Sequence, residues 1–266
     1  HRANRSLGRV GTVQQRGAVM KADPQDQLRL LQVQACDTRL AQLTHRDKTL
    51  PEAQALREAE QRQEQVHDDL VRAQTAASDL ASEVARAEAD VVQVRERMSR
   101  DQRLMDSGEI GDPKPLTSLQ HELTSLVKRL ADLEDVELEV MERQEAADKA
   151  VAQLQQEQAG VAEQIAALVA EVADLRAAIV ADRAGVEADR AAAVQGLPAD
   201  LLALYDKVRA DHDGVGAAPL YRGRCEGCRL QLPPQEIEVA RSAAADEVLR
   251  CEECRRILVR TPESGL

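Results

Sequence analysis

The chain of 266 residues carries 35 Lys plus Arg against 47 Asp plus Glu, a net charge of −12, with no Trp, no Phe and two Tyr. So few rings make a large compact core hard to build. Gly-rich phosphate-binding loops of the G-x-G-x-x-G or G-x-x-x-x-G-K kind are absent, and no uncharged run approaches the ~18 residues of a membrane span. Nucleotide-binding enzyme folds and membrane-spanning proteins are thereby disfavoured. Ala, Leu and Val beside abundant Glu, Gln, Arg and Asp are instead the mixture of long coiled-coil helices.

Residues 1–19 hold four Arg and no acid and precede Met20. They read as an upstream remnant that is no part of the fold. The next patterned stretch, Cys36, Leu40, Leu43, Asp47 and Leu50, ends at Pro51, where a missing amide and a ring clash interrupt a helix. Beyond it Leu56, Ala59, Gln63, Val66, Leu70, Ala73, Ala77, Leu80, Val84, Ala87, Val91, Val94 and Met98 share one register, out of phase with the first by one residue. From Leu119 the rhythm runs through Leu123, Leu126, Leu130, Leu133, Glu137, Val140, Gln144 and onward to Ile179, Asp182, Val186 and Asp189. Sixteen of 21 seam positions there are apolar over ten heptads. Alternating steps of three and four predict a left-handed supercoil.

Residues 105–115 contain two Gly and two Pro and read as the turn between two arms. Each arm has about 75 residues and would run roughly 110 Å, so the arms can pair as an antiparallel hairpin over residues 20–195 with its tip at about 101–117. An intermolecular dimer is the alternative, because heptads alone do not fix orientation. Polar seam residues set register rather than bind ligands. Cys36 fits the seam as a small hydrophobe, with a reactive thiol as the alternative. Leu138 and Met141 stand beside the seam, either as partner contacts or as hairpin core. Residues 197–209 read as a short amphipathic helix opened near its first turn by Pro198, and residues 211–219 as a flexible linker.

Cys225-Glu-Gly-Cys228 and Cys251-Glu-Glu-Cys254 form two C-x-x-C pairs 22 residues apart. Two such knuckles supply four sulfurs for a tetrahedral Zn²⁺, with Gly227 suiting the turn geometry of the first. Residues 229–232 and 256–260 read as strands around them, which makes 221–266 a zinc ribbon. Disulfides, thiol redox chemistry and a catalytic metal are the alternatives. An acidic chain with no signal peptide reads as cytoplasmic, no βαβ pattern surrounds either pair, and four thiolates close the coordination shell. The ribbon has eight Arg and eight acids. Six of those arginines, Arg222, Arg224, Arg229, Arg255, Arg256 and Arg260, cluster near the knuckles as a candidate phosphate contact, though acids are interleaved and Tyr221 is the only stacking ring.

Together, residues 118–123 (SLQHEL), residues 132–142 (DLEDVELEVME), residues 201–206 (LLALYD) and the four-cysteine module resemble bacterial C4-type zinc-ribbon proteins with an N-terminal helical hairpin, with wording of the actinobacterial, mycobacterial-like kind. The resemblance covers nearly everything after Met20. It implies Cys225, Cys228, Cys251 and Cys254 as ligands of one structural zinc. It further implies a non-enzymatic adaptor, since a relative in flagellated bacteria is a chaperone-like partner of the alternative sigma factor sigma-54 and binds a flagellin transcript. A chlamydial relative engages the same sigma factor and secretion components. The expectation is a mainly α protein that binds a protein partner through its coiled coil. Nucleic-acid binding through the ribbon is the alternative, and neither a membrane nor a small-molecule substrate is expected.

Overall fold

The computed structural model describes residues 20–266; the basic head at 1–19 lies outside the described residues. In chain order the elements are α1 (Pro24–Lys48), α2 (Pro51–Asp106), α3 (Pro113–Val194), α4 (Ala199–Asp211), β1 (Ala217–Tyr221), β2 (Arg224–Cys225), α5 (Pro234–Ser242), β3 (Leu249–Arg250), β4 (Ile257–Arg260) and a short 3₁₀ turn, Pro262–Ser264. The chain divides into two compact units. One is Pro51–Ala173; the other combines the residues up to Leu50 with Asp174–Leu266.

Unit Pro51–Ala173 is the hairpin. All thirteen α2 seam positions from Leu56 to Met98 are buried or half-buried, and so is every α3 seam position from Leu119 to Val172. Cross-pairs fix the orientation. Arg62 pairs with Glu157, Glu83 with Arg143, Arg95 with Glu134 and Arg97 with Glu122, so α3 descends as α2 ascends. The helices are antiparallel within one chain. Their turn spans only residues 107–112: Gly108 takes φ +70°, Asp112 accepts the Lys114 amide at 3.1 Å, and Pro113 opens α3. Leu138 and Met141 are 59% and 45% exposed, which settles their place outside the hairpin core.

The second unit assembles on a four-stranded sheet of order β2-β1-β4-β3, in which β1 and β4 are parallel and both outer pairs antiparallel. Alternate residues of the two central strands face opposite ways. Ala217, Ile257 and Val259 pack with Leu30 and Val33 of α1 and Leu201 and Tyr205 of α4. Ala218, Leu220 and Leu258 pack with Ala240 of α5 and with Cys225 and Cys251. The N-terminal backbone joins the same unit, Ala22 N–H donating to Asp246 and Val248 N–H to Met20.

Several details differ from the expectation. The flexible linker at 211–219 ends in β1, because its apolar run pairs in parallel with β4. Residues 229–232 form no strand; Gln231 makes one isolated bridge to Arg224. Helix α5 follows instead, started by Pro233 and Pro234. After Ile179 the inward positions of α3 become Arg183, Val186 and Arg190, while Asp182 and Asp189 are exposed. Two successive steps of four, Leu175 to Ile179 to Arg183, constitute a stutter that locally unwinds the supercoil. In α1 the fully buried position is Asp37 rather than Cys36, which is half-buried.

Candidate metal centre

Each C-x-x-C pair closes into the same backbone turn. Arg229 N–H donates to Cys225 C=O at 2.7 Å and Cys225 N–H to Leu230 C=O at 3.0 Å; Arg255 N–H donates to Cys251 C=O at 2.8 Å and Cys251 N–H to Arg256 C=O at 3.0 Å. The two knuckles repeat atom for atom. In both, the left-handed residue is the one after the second cysteine, Arg229 at φ +63° and Arg255 at φ +60°. Gly227 is therefore not required for its φ. It is required for space, since a Cβ there would meet Arg256 Cδ at 2.8 Å and Ala218 Cβ at 3.0 Å.

The four sulfurs converge to within 4.8 Å of one another. Cys225 Sγ lies 3.9 Å from Cys254 Sγ, and Cys228 Sγ the same distance from Cys251 Sγ. A tetrahedron with Zn–S bonds of about 2.3 Å requires S···S separations near ~3.8 Å, so the donor set fits zinc as it stands. All four cysteines are free, far beyond the ~2.05 Å of a disulfide. Burial pushes the Cys225 and Cys251 thiols up, against backbone N–H groups of their own knuckles that favour the thiolate. Burial acts in the same direction on Cys254, but hydrogen bonds from Arg256 and the neighbouring cysteines outweigh it and hold that thiol below its ordinary value. A sulfur cluster of this kind is held closed by a metal, and Cys225, Cys228, Cys251 and Cys254 form the shell of one structural zinc. Among the described residues it is the sole cluster of ligand side chains with metal-binding geometry.

Cys36 stands apart from this centre. Burial, and then the carboxylates of Asp189 and Asp37, raise its thiol above the ordinary range, the opposite of what a nucleophilic thiol needs.

The six arginines divide by environment. Arg260 reaches across the end of α5, donating to the carbonyls of Ala243 at 2.9 Å, Ala244 at 2.6 Å and Glu247 at 3.1 Å. Arg256 donates to Val215 and His212 carbonyls, both at 3.1 Å. Arg224 pairs with Glu226 at 2.7 Å. Arg222, Arg229 and Arg255 are exposed, with Arg222 lying over the Tyr221 ring at 5.3 Å.

A second polar centre gave no signal in the heptad pattern. Asp37, 2% exposed, accepts from Tyr205 Oη at 2.7 Å and from Arg190 Nε at 2.7 Å, with Arg209 Nε at 3.4 Å. Beside it Gln34 Oε1 accepts the amides of Gly216 at 2.7 Å and Ala217 at 3.3 Å. These contacts tie α1, α3 and α4 to the first residues of β1.

Residues 33–213 match the CT398-like coiled coil hairpin domain, and residues 224–258 match the C4-type zinc ribbon domain. An uncharacterised protein of Mycobacterium tuberculosis is 36% identical over 241 residues, covering 91% of this chain and 98% of its own. A solved Mycobacterium smegmatis structure is 34% identical, with a TM-score of 0.75 over 91% of this chain and all of that one. CT398 of Chlamydia trachomatis shares the fold at 16% identity, with a TM-score of 0.63 over 89% of this chain and 98% of its own. With its hairpin and its four-cysteine ribbon both matched, this chain belongs to the CT398-like family of coiled-coil hairpin proteins carrying a C4-type zinc ribbon.

Proposed function

We propose that this chain is a cytoplasmic, non-enzymatic adaptor of chaperone-like character that binds proteins through its hairpin, with zinc in a purely structural role. The observation that carries the reading is the exposure of Leu138 and Met141 on α3, on a helix whose seam is already satisfied by α2. Exposed large apolar side chains on a charged helix are the means by which helices engage other proteins. Four thiolates around one zinc leave no coordination position for a substrate, which supports a structural metal. No helix among the described residues is long and apolar enough to cross a membrane.

One observation favours a second reading. Arg222, Arg229 and Arg255 all hold left-handed backbone on the ribbon surface, and Arg222 stacks on Tyr221, an arrangement that suits phosphates and bases.

Affinity capture of the tagged full chain from lysate, with and without nuclease and at low and high salt, separates the two. Stoichiometric proteins that survive nuclease support the adaptor. Recovery that is abolished by nuclease, by salt and by R229A/R255A would replace it with nucleic-acid binding.

A further inference from the structure

We infer that the α3 face bearing Val127, Leu138 and Met141 is the docking site for a cationic amphipathic helix of a partner protein. The inference rests on the adaptor reading and specifies its partner. On a helical projection Val127, Ala131, Glu134, Leu138, Met141 and Glu145 fall on one stripe, turned about 100° from the seam that faces α2. Val127 is 55% exposed, so three large apolar side chains on this stripe lie open to solvent. Leu138 and Met141 stand together on the outer surface of α3 with Glu142, Gln144, Glu145 and Asp148 around them.

Charge selects the occupant. Residues 127–149 hold eight carboxylates and four bases; Arg143 is turned to Glu83 of α2 and Lys149 to Glu145, while Lys128 and Arg129 stand beside Val127, so the acidic excess lies around Leu138 and Met141. A second copy of the same face would set one row of carboxylates against another, which costs free energy at every turn. Anionic lipid surfaces and nucleic acids are repelled for the same reason. A helix with apolar residues at three- and four-residue spacing, flanked by Lys and Arg, satisfies both the apolar side chains and the carboxylates around them. Of the acids on and beside the stripe, Glu134 is engaged by Arg95 and Glu145 by Lys149, while Glu142 and Asp148 form no ion pair among the described residues.

The test is fluorescence anisotropy on the zinc-loaded full chain, using a labelled peptide of about three heptads with Leu at a and d and Lys elsewhere. A counterpart with Glu for Lys serves as the comparison. The Lys peptide is expected to bind and the Glu peptide to fail. L138Q/M141Q is expected to weaken binding about tenfold, E142Q/E145Q/D148N to weaken it and flatten its salt dependence, and V169Q, at an exposed apolar position farther along α3, to leave it unchanged. All substituted side chains are at the surface, and unchanged helicity by circular dichroism verifies the fold. Equal binding of both peptides, or undiminished binding by L138Q/M141Q, overturns the inference. So does a dimer in sedimentation that L138Q/M141Q separates, since a second copy then covers the face. Stoichiometric lysate partners retained in full by L138Q/M141Q overturn this site and leave the adaptor reading standing. Absence of nuclease-resistant partners from captures of the unsubstituted chain overturns the adaptor reading, while the peptide result still decides the chemistry of the face.

Discussion

The Tyr205 hydroxyl donates to the Asp37 carboxylate at 2.7 Å across 168 residues of sequence, both groups buried. Burial, followed by that hydrogen bond and the Asp37 charge, drives the Tyr205 pKa far above its ordinary value, so the ring stays neutral and the donor role is fixed. Asp37 in turn balances Arg190 and Arg209, whose side chains are 28% and 36% exposed.

Tyr205→Phe therefore removes one donor from a carboxylate that keeps its arginine partners, with an expected cost of about 1–2 kcal/mol. Asp37→Asn leaves Arg209 facing a neutral amide and Arg190 with only Asp206, at 3.8 Å, as a carboxylate partner. Because both arginines are partly solvated, the cost is below that of a fully buried pair, about 2–3 kcal/mol. Urea titration followed by amide exchange at Leu30, Val33, Leu201 and Ile257 checks both, and a larger effect for Tyr205→Phe than for Asp37→Asn would refute the ranking.

Gly216 sits where a Cβ would approach the Tyr205 carbonyl oxygen at 2.7 Å and its ring carbons at 2.8 Å. Backbone cannot yield cheaply there. Gly216→Ala is expected to lower stability by about 1–3 kcal/mol and to loosen the hydrogen bond that the Gly216 N–H donates to Gln34 Oε1. Thermal melts and amide exchange at residues 216 and 217 measure it.

Removing zinc acts on one face of the sheet. Cys225 and Cys251 belong to the cluster with Leu220 and Leu258, whereas Ile257 and Val259 pack on α1 and α4 without any cysteine. A strong chelator is expected to release one zinc per chain and to expose the amides of Cys225, Arg229, Cys251 and Arg255 to exchange. The helicity of Pro51–Ala173 should survive, since its own seam sustains it. Cys251→Ser should reproduce the loss, and Cys36→Ser should retain one zinc, both by metal analysis.

At the knuckles, Arg229→Gly and Arg255→Gly relieve a left-handed backbone that a side chain tolerates poorly. Each substitution is expected to stabilise the ribbon by about 0.5–1 kcal/mol, reduced by the greater freedom of glycine in the unfolded chain. Slower zinc loss to a chelator is the readout, and faster loss would show that the arginine side chains brace the knuckles.

The hairpin was legible because a seam repeated over many turns leaves a strong periodic trace, and Pro51 and the Gly/Pro turn punctuate it without ambiguity. The zinc ligands were legible because C-x-x-C spacing states its own chemistry. Other features left no comparable trace. Asp37 and Arg190 each lie one position from an expected seam residue, Cys36 and Asp189, and a shift of one residue in register is invisible until the facing helix is placed. Strand β1 reads as linker because Ala217 and Ala218 gain their partners only from β4, forty residues later. The left-handed arginines were hidden because sequence habit assigns that backbone to glycine.

The unit that contains the ribbon is assembled from the two ends of the described chain, with the hairpin inserted between them. That arrangement sets an order of events at the ribosome. Helix α1 emerges early, yet Leu30, Val33 and Asp37 must wait for Tyr205 and the strands. At ~5–20 residues per second, Asp37 waits roughly 8–34 s for its tyrosine alone. The hairpin, Pro51–Ala173, joins its two helices across a turn of a few residues and is complete in sequence before Tyr205 is made, so its pairing need not wait for the ribbon. A formed hairpin removes its own residues from the flexible loop between Asp37 and Tyr205, which lowers the entropy cost of joining them.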